Sequence, residues 1–142
     1  MNPTTNIVYS TDKNDIENLT VGNFFVGWPN KPSIEILKQS IERADYAVLA
    51  IDTEKNTLAG YITAITDHTL SAYIPFLEVE EAYQKQGIGH KLVTKMLEQL
   101  QHLYMIDLVC VKELADFYSE AGFQSWHAMI KRNYVNQSGF QQ

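Results

Sequence analysis

Hydrophobic positions change rhythm several times along this chain, and each change marks an element. "SIEILKQSIERA" places Ile34, Leu37, Ile41 and Ala44 at helical spacing behind Ser33, which predicts an amphipathic helix with a serine N-cap. "YAVLAID" (Tyr46–Asp52) and "TLAGYITAIT" (Thr57–Thr66) read instead as strands joined by the turn "TEKN". After the tight turn "DH", "TLSAYIPFLEV" (Thr69–Val79) reads as a third strand. Such short connections predict an antiparallel meander. The last two of these strands are apolar on both faces, so the sheet should be covered on both sides. From Gly87 to His102 the stripe Ile88, Leu92, Val93, Met96 and Leu100 predicts the best helix of the chain.

The flanks are read the same way. "NIVY" (Asn6–Tyr9) is a short strand, followed by a short helix with Thr11 as N-cap and with Ile16 and Leu19 facing inward. "NFFVGWPNKP" has Gly and Pro breaks and is a loop or a broken helix. "MIDLVCV" (Met105–Val111) is a buried strand, and "ELADFYSEAG" a helix stopped by Gly122. "FQSWHAMIKRN" predicts one bent strand or a tight terminal hairpin. The order is β-α-α-β-β-β-α-β-α-β. The strands flanking the central helix should be parallel neighbours joined by a right-handed crossover. The fold class is therefore α/β (α+β): a mixed, mainly antiparallel sheet with helices on both faces.

Composition narrows this picture. A chain of 142 residues suits one domain, and 45% hydrophobic content suffices for a core. A net charge of −6 argues against a nucleic-acid binder, which needs a basic face, and leaves room for a cationic substrate. The single cysteine, Cys110, excludes a disulfide within the chain and points to a reducing compartment, the cytoplasm. The start "MNPTTNIVYS" has no signal-peptide pattern, and no apolar run approaches the roughly 18 residues of a membrane span. No metal-ligand pattern is present. The polar C-terminal strand could pair with a second copy to make a homodimer.

"QKQGIGHK" (Gln84–Lys91) sets two glycines at the start of the best helix, although glycine costs a helix about 1 kcal/mol against alanine. A dinucleotide fingerprint would need its third glycine where Leu92 stands. A nucleotide phosphate loop would need glycine where Gln84 stands, and Lys-Ser/Thr directly after Gly89. Two readings remain open: a plain strand-to-helix turn, and a pyrophosphate loop whose glycines let a diphosphate approach the unpaired first amides. Pro75 adds an irregularity inside a strand that the order makes central.

Two motifs together carry a resemblance. Gln84-x-x-Gly87-x-Gly89 opens the central helix, and Phe117-Tyr118-x-x-x-Gly122-Phe123 closes the later one. In this order and spacing they resemble the GNAT acetyltransferase superfamily, over about Ile74 to Phe123. The resemblance implies acetyl-CoA bound where the "FLEV" strand splays from "MIDLVCV". Backbone groups of Leu77 and Val79 would then bond the pantetheine arm, with Val79 holding the oxyanion. Gln84, Lys85, Gln86, Gly87, Ile88, Gly89 and His90 would form the pyrophosphate loop. It also implies direct transfer to a primary amine, without a covalent intermediate. One departure stands out: family members often carry asparagine seven residues before the tyrosine, and Val111 occupies that position.

Acetyl transfer needs an amine stripped of its proton, donors for the oxyanion and an acid for the leaving thiolate. Tyr118 is the candidate acid, since a phenol stays protonated at neutral pH. Glu78 is the candidate base. Alternation puts it on the face of Ile74 and Phe76, where apolar neighbours should raise its pKa. His127 could reach the cleft from the last strand, and His68 reads as a surface turn residue. Phe24, Phe25 and Trp28 are candidates to wall an acceptor pocket suited to a cationic amine. The rival reading is an acyl-CoA-binding sensor or interaction module on the same fold, without catalysis.

Overall fold

The computed structural model describes residues 6–139. Its centre is a six-stranded sheet. The strands are β1 (Ile7–Ser10), β2 (Tyr46–Asp52), β3 (Thr57–Thr66), β4 (Ser71–Ile74), β5 (Leu77–Val79) and β6 (Met105–Leu108). The order is β1-β2-β3-β4-β6, with β5 pairing β3 beyond the end of β4. Every pair is antiparallel except β4 with β6, which runs parallel from Ser71 opposite Met105 to Ile74 opposite Leu108. The mixed sheet with a parallel pair is as expected.

The helices lie on opposite faces. On one, α1 (Ile34–Arg43) buries Leu37 and Ile41 against Leu49, Leu58 and Tyr61. Ser33 caps it, its hydroxyl accepting from the Ile36 amide. On the other, α2 (Ile88–Gln99) sets Leu92, Val93 and Met96 against Val48, Ala50 and Ile62. The short α3 (Ala115–Ser119) joins that second cluster through Tyr118. None of the described helices is long and apolar enough to cross a membrane.

Four local expectations change. The first helix is a 3-10 helix over Lys13–Asn18 capped by Asp12, whose carboxylate takes the Asn14 amide, so Thr11 is not its cap. The stretch Thr69–Val79 is two strands, because Pro75 and Phe76 interrupt it. The strand from Met105 stops at Leu108, where its parallel partner also ends. Finally, residues 124–133 form no strand. They are exposed, and residues 124–132 make no backbone hydrogen bond to another described residue. An alternating pattern becomes a strand only where an edge accepts it.

Coverage is uneven. β3 is packed on both faces from Leu58 to Ala64, as expected, and so is β2; the other strand expected to be covered, Thr69–Val79, is bare on one face of its β4 part. Past α1, however, the same face of β4 and β6 is open, with Ile65 (54%), Tyr73 (40%) and Met105 (43%) exposed.

Candidate active site

The break at Pro75 builds the site. Ile74 packs with the α2 side of the sheet, whereas Phe76 packs with the α1 side. Leu77 and Val79 then return to the α2 cluster. Strict alternation would put Ile74, Phe76 and Glu78 on one face, so the chain slips by one residue at Pro75. Glu78 therefore shares the face of Phe76 but not that of Ile74, which corrects the alternation argument. The same break ends the β4–β6 ladder. Beyond it β5 follows β3 alone, and a gap opens between β5 and the segment after β6.

Backbone groups line this gap. The Thr63 amide donates to the Phe76 carbonyl at 3.1 Å, and the Glu80 amide to the Ala59 carbonyl at 2.9 Å. Antiparallel alternation then turns the amides of Leu77 and Val79 away from β3, toward the gap. The Val79 carbonyl accepts from Gln84 Nε2 at 2.9 Å, which fastens the following loop to the end of β5. Gln84 thus spends a side-chain donor on the protein's own backbone.

The loop leads directly into α2. Gly87 has φ 85°, a left-handed conformation that glycine adopts without strain. Gly89 has another reason to be glycine: a Cβ there would lie 3.3 Å from Phe117 Cζ. Its missing side chain lets α3 press against the start of α2. The first helical bond runs from the Lys91 amide to the Gly87 carbonyl at 3.2 Å. The amides of Gln86, Gly87, Ile88, Gly89 and His90 have no partner among the described residues. They carry the partial positive charge of the helix start. The His90 ring stacks on Phe117 at 4.4 Å and lies 3.9 Å from Glu120, so its imidazole faces α3. Lys85 and Gln86 are exposed.

Helix α3 bridges the gap. Phe117 meets the start of α2, and Tyr118 stands edge-on to both Phe117 and Phe123. Tyr118 is 8% exposed. Its hydroxyl makes no hydrogen bond to a described residue, yet it is not among the fully buried unpaired atoms. Burial pushes the phenol up to about 12, with a smaller push from the neighbouring Cys110.

Glu78 approaches from the other face. One carboxylate oxygen accepts from the Phe25 amide at 2.9 Å, the other from the Tyr61 hydroxyl at 3.3 Å. Burial raises its pKa, and these two donors, with Lys31, pull part of the way back. Tyr61 was not legible as a site residue in the sequence. It sits fully buried in the middle of β3, paired directly across from Glu78. Burial and the carboxylate together drive its phenol far above the ordinary range. The Phe25 amide is aimed by a left-handed backbone, φ 57°.

The aromatic candidates divide. Phe24 is buried edge-on to Tyr61, and Phe25 is buried against Trp28 and Phe76. Trp28, 37% exposed, is the one that offers a surface. His68 is held by Asp45 at a surface turn, and His127 lies on the exposed segment after α3. A second unanticipated pair braces the loop: Tyr83 donates to the buried Asp52 at 2.6 Å, tying the β5–α2 connection to β2.

A gap with free strand amides, an unpartnered helix start and a buried phenol form an arrangement that can receive an extended, phosphate-bearing acyl donor. That class agrees with the comparisons. The acetyltransferase (GNAT) family model matches residues 13–123, and the chain belongs to this family of acyltransferases. It is 29% identical over 119 residues to the chloroplastic GCN5-related N-acetyltransferase 2 of Arabidopsis thaliana, covering 70% of this chain and 46% of that protein. It is 28% identical over 112 residues to histone acetyltransferase TAP1 of Glycine max, covering 70% and 48%. The chain spans about half the length of these plant relatives. Among solved structures, a proposed acetyltransferase from Deinococcus radiodurans R1 superposes with a TM-score of 0.84 at 33% identity, over 96% of this chain and 94% of that one. A GNAT-family acetyltransferase from Streptococcus pneumoniae gives 0.68 at 26% identity, over 89% and 98%.

Proposed function

We propose that the chain is an N-acetyltransferase that moves an acetyl group from acetyl-CoA directly to a primary amine. The observation that carries this reading is the convergence on one gap: free amides of β5, the unpartnered start of α2 and the unbonded hydroxyl of Tyr118. Acetyl-CoA supplies the activated thioester. The amides of Leu77 and Val79 serve its extended arm as a missing strand would. The amides of Gln86 to His90 receive its pyrophosphate, favoured by the helix dipole.

The chemistry follows from the two flanking groups. Glu78, with its raised pKa, accepts the proton of the incoming ammonium through a water. The Val79 amide holds the oxyanion formed when the amine attacks the carbonyl carbon. Tyr118 protonates the departing thiolate and, through solvent, regains a proton from the adduct nitrogen, which must lose its second proton as the amide forms; at neutral pH the phenol is fully protonated. Tyr61 and the Phe25 amide hold Glu78 in place. Trp28, beside Phe76, forms an aromatic surface on the Glu78 side suited to the ammonium group.

A panel of primary amines with acetyl-CoA, read by thiol release, tests the proposal. Release with at least one amine is expected. Tight acetyl-CoA binding without release on any amine would support an acyl-CoA sensor instead. That reading draws on Val111, 62% exposed, where the family often has asparagine. No binding at all would remove both.

A further inference from the structure

Among the described residues, two buried side-chain atoms lack a hydrogen-bond partner: the Thr63 hydroxyl oxygen and Gln99 Nε2. Leaving such a group unpaired is costly, so each calls for a physical reason. Gln99 closes α2, at the end remote from the gap. Thr63 lies inside β3, two residues after Tyr61, and is 1% exposed.

The register puts Thr63 beside the candidate base. Alternation sets it on the face of Tyr61. Its partner on β2 is Ala47, which packs in the α1-side cluster and so shares that face. On the other flank the Thr63 amide donates to the Phe76 carbonyl at 3.1 Å, one step beyond the pairs Ile62–Leu77 and Tyr61–Glu78. Phe76 packs in the same cluster. Four side chains therefore form one patch: Tyr61 beside Glu78 and Thr63 beside Phe76, with Thr63 and Glu78 on the diagonal. Ile65, next along the same face, is exposed, so the patch lies where the cover of this face ends.

The neighbours leave the hydroxyl no direct partner. Ala47 and Phe76 have no polar side-chain atom, and the Tyr61 hydroxyl donates to Glu78. The Glu78 carboxylate has capacity to spare. It accepts from the Phe25 amide and from Tyr61, and a carboxylate offers about four acceptor positions. Diagonal neighbours in an antiparallel pair stand about 7–8 Å apart. One water between the two side chains, with a hydrogen bond of about 2.8 Å on each side, closes that distance.

We propose that the Thr63 hydroxyl holds the water through which Glu78 takes up the acceptor's proton. Thr63 is then a positioning residue, because it acts through that water. The water oxygen accepts from the Thr63 hydroxyl and from the acceptor ammonium, and one water hydrogen points at Glu78. On transfer the ammonium N–H bond breaks, the water gains that proton, and it passes one of its own to the carboxylate. The relay rests on the reaction proposed above; the bridge from Thr63 to Glu78 does not. The other groups that act on the Glu78 charge are the Phe25 amide, Tyr61 and Lys31, and a change at Thr63 removes none of them.

Carbon-13 NMR of the Glu78 carboxyl, identified as the resonance lost in Glu78→Gln, tests the bridge without turnover. Thr63→Val keeps the shape of the side chain and removes its hydroxyl. Its Glu78 should titrate about half a pH unit or more above wild type, because a water held against the carboxylate favours the charged form. Thr63→Ser keeps the hydroxyl and loses a buried methyl group, so its Glu78 should titrate as in wild type while the protein unfolds at lower urea. On any amine that is acetylated, Thr63→Val should lower kcat about tenfold or more at unchanged acetyl-CoA affinity, and Thr63→Ser should stay within about threefold of wild type. Equal titration of Glu78 in Thr63→Val and wild type overturns the proposal. So does a wild-type kcat in Thr63→Val, or a Thr63→Ser enzyme as slow as Thr63→Val. A shifted titration with no amine acetylated would support the bridge and overturn the proposed reaction alone.

Discussion

The sheet has two halves built to different standards. In the first, β2 and β3 share a ladder seven pairs long and lie between α1 and α2, with nearly every side chain out of water. In the second, β4, β5 and β6 are three or four residues long, one face of β4 and β6 is bare, and their ladder stops at Ile74 and Leu108. Backbone polar groups left unpaired are costly where water and partners are both absent. Here they line an open gap, where a ligand can take them. The contrast separates what holds the chain together from what the chain holds.

Substitutions can test whether that separation is real. The largest expected effect is in the open half: Tyr118→Phe should lower kcat by about a hundredfold or more, with little change in the urea midpoint or in acetyl-CoA affinity. An unchanged kcat on a confirmed acceptor would take Tyr118 out of the chemistry. In the closed half, Gly60→Ala should act the other way round. A Cβ at Gly60 would lie 2.9 Å from the Glu78 carbonyl oxygen and 3.3 Å from Leu92 Cδ1. The expected loss is about 1–3 kcal/mol of stability by urea unfolding; a midpoint equal to wild type would mean that the ladder yields without cost.

Tyr83→Phe tests the brace between the halves. It leaves the buried Asp52 carboxylate without its shortest donor, at a cost of about 2 kcal/mol. The Tyr83 hydrogen bond chiefly holds Asp52 below its ordinary pKa, against the opposing effect of burial. The pair therefore stabilises the fold above the usual carboxylate range, and that contribution disappears as pH falls through the depressed pKa. In the variant the loss should begin at a higher pH, seen in thermal unfolding between pH 3 and 6; superimposable acid limbs would argue against the brace. The smallest effect is expected from Tyr61→Phe. Removing a donor that favours the Glu78 carboxylate should raise an already elevated pKa further. The acid limb of kcat/KM should then move upward by less than about one pH unit. A limb at the wild-type position would show that Glu78 is not the base.

The two halves also differed in how far the sequence disclosed them. Tyr46–Asp52 and Thr57–Thr66 were predicted with the bounds they have, because long apolar strands fix their own register. Ser33, Gly87 and Gly122 marked helix ends through cap chemistry that is local to the chain. The open half depends on contacts that spacing does not encode. Alternation cannot detect an added residue at Pro75, so Glu78 was assigned company on the wrong side of the sheet. Tyr61 and Glu78 meet across 17 residues of sequence, with nothing local to link them. Spacing leaves Gly89 open between a plain turn and a diphosphate loop; it does not reveal a further reason for a glycine there, the ring of Phe117, 28 positions on. Residues 124–132 read like a strand but meet no edge among the described residues.

The slip at Pro75 ties two properties of the site into one. The residue that ends the ladder, and so opens the gap, is the same one that rotates Glu78 toward Tyr61 and Phe25. Shortening the chain there by one position would rejoin β5 to β6 and swing the carboxylate to the opposite side in the same stroke. Donor space and base orientation are thus inherited together, like two settings on one switch. A lineage of such proteins can exchange the aromatic wall or the segment after α3 piecemeal, but it must keep or discard this irregularity whole.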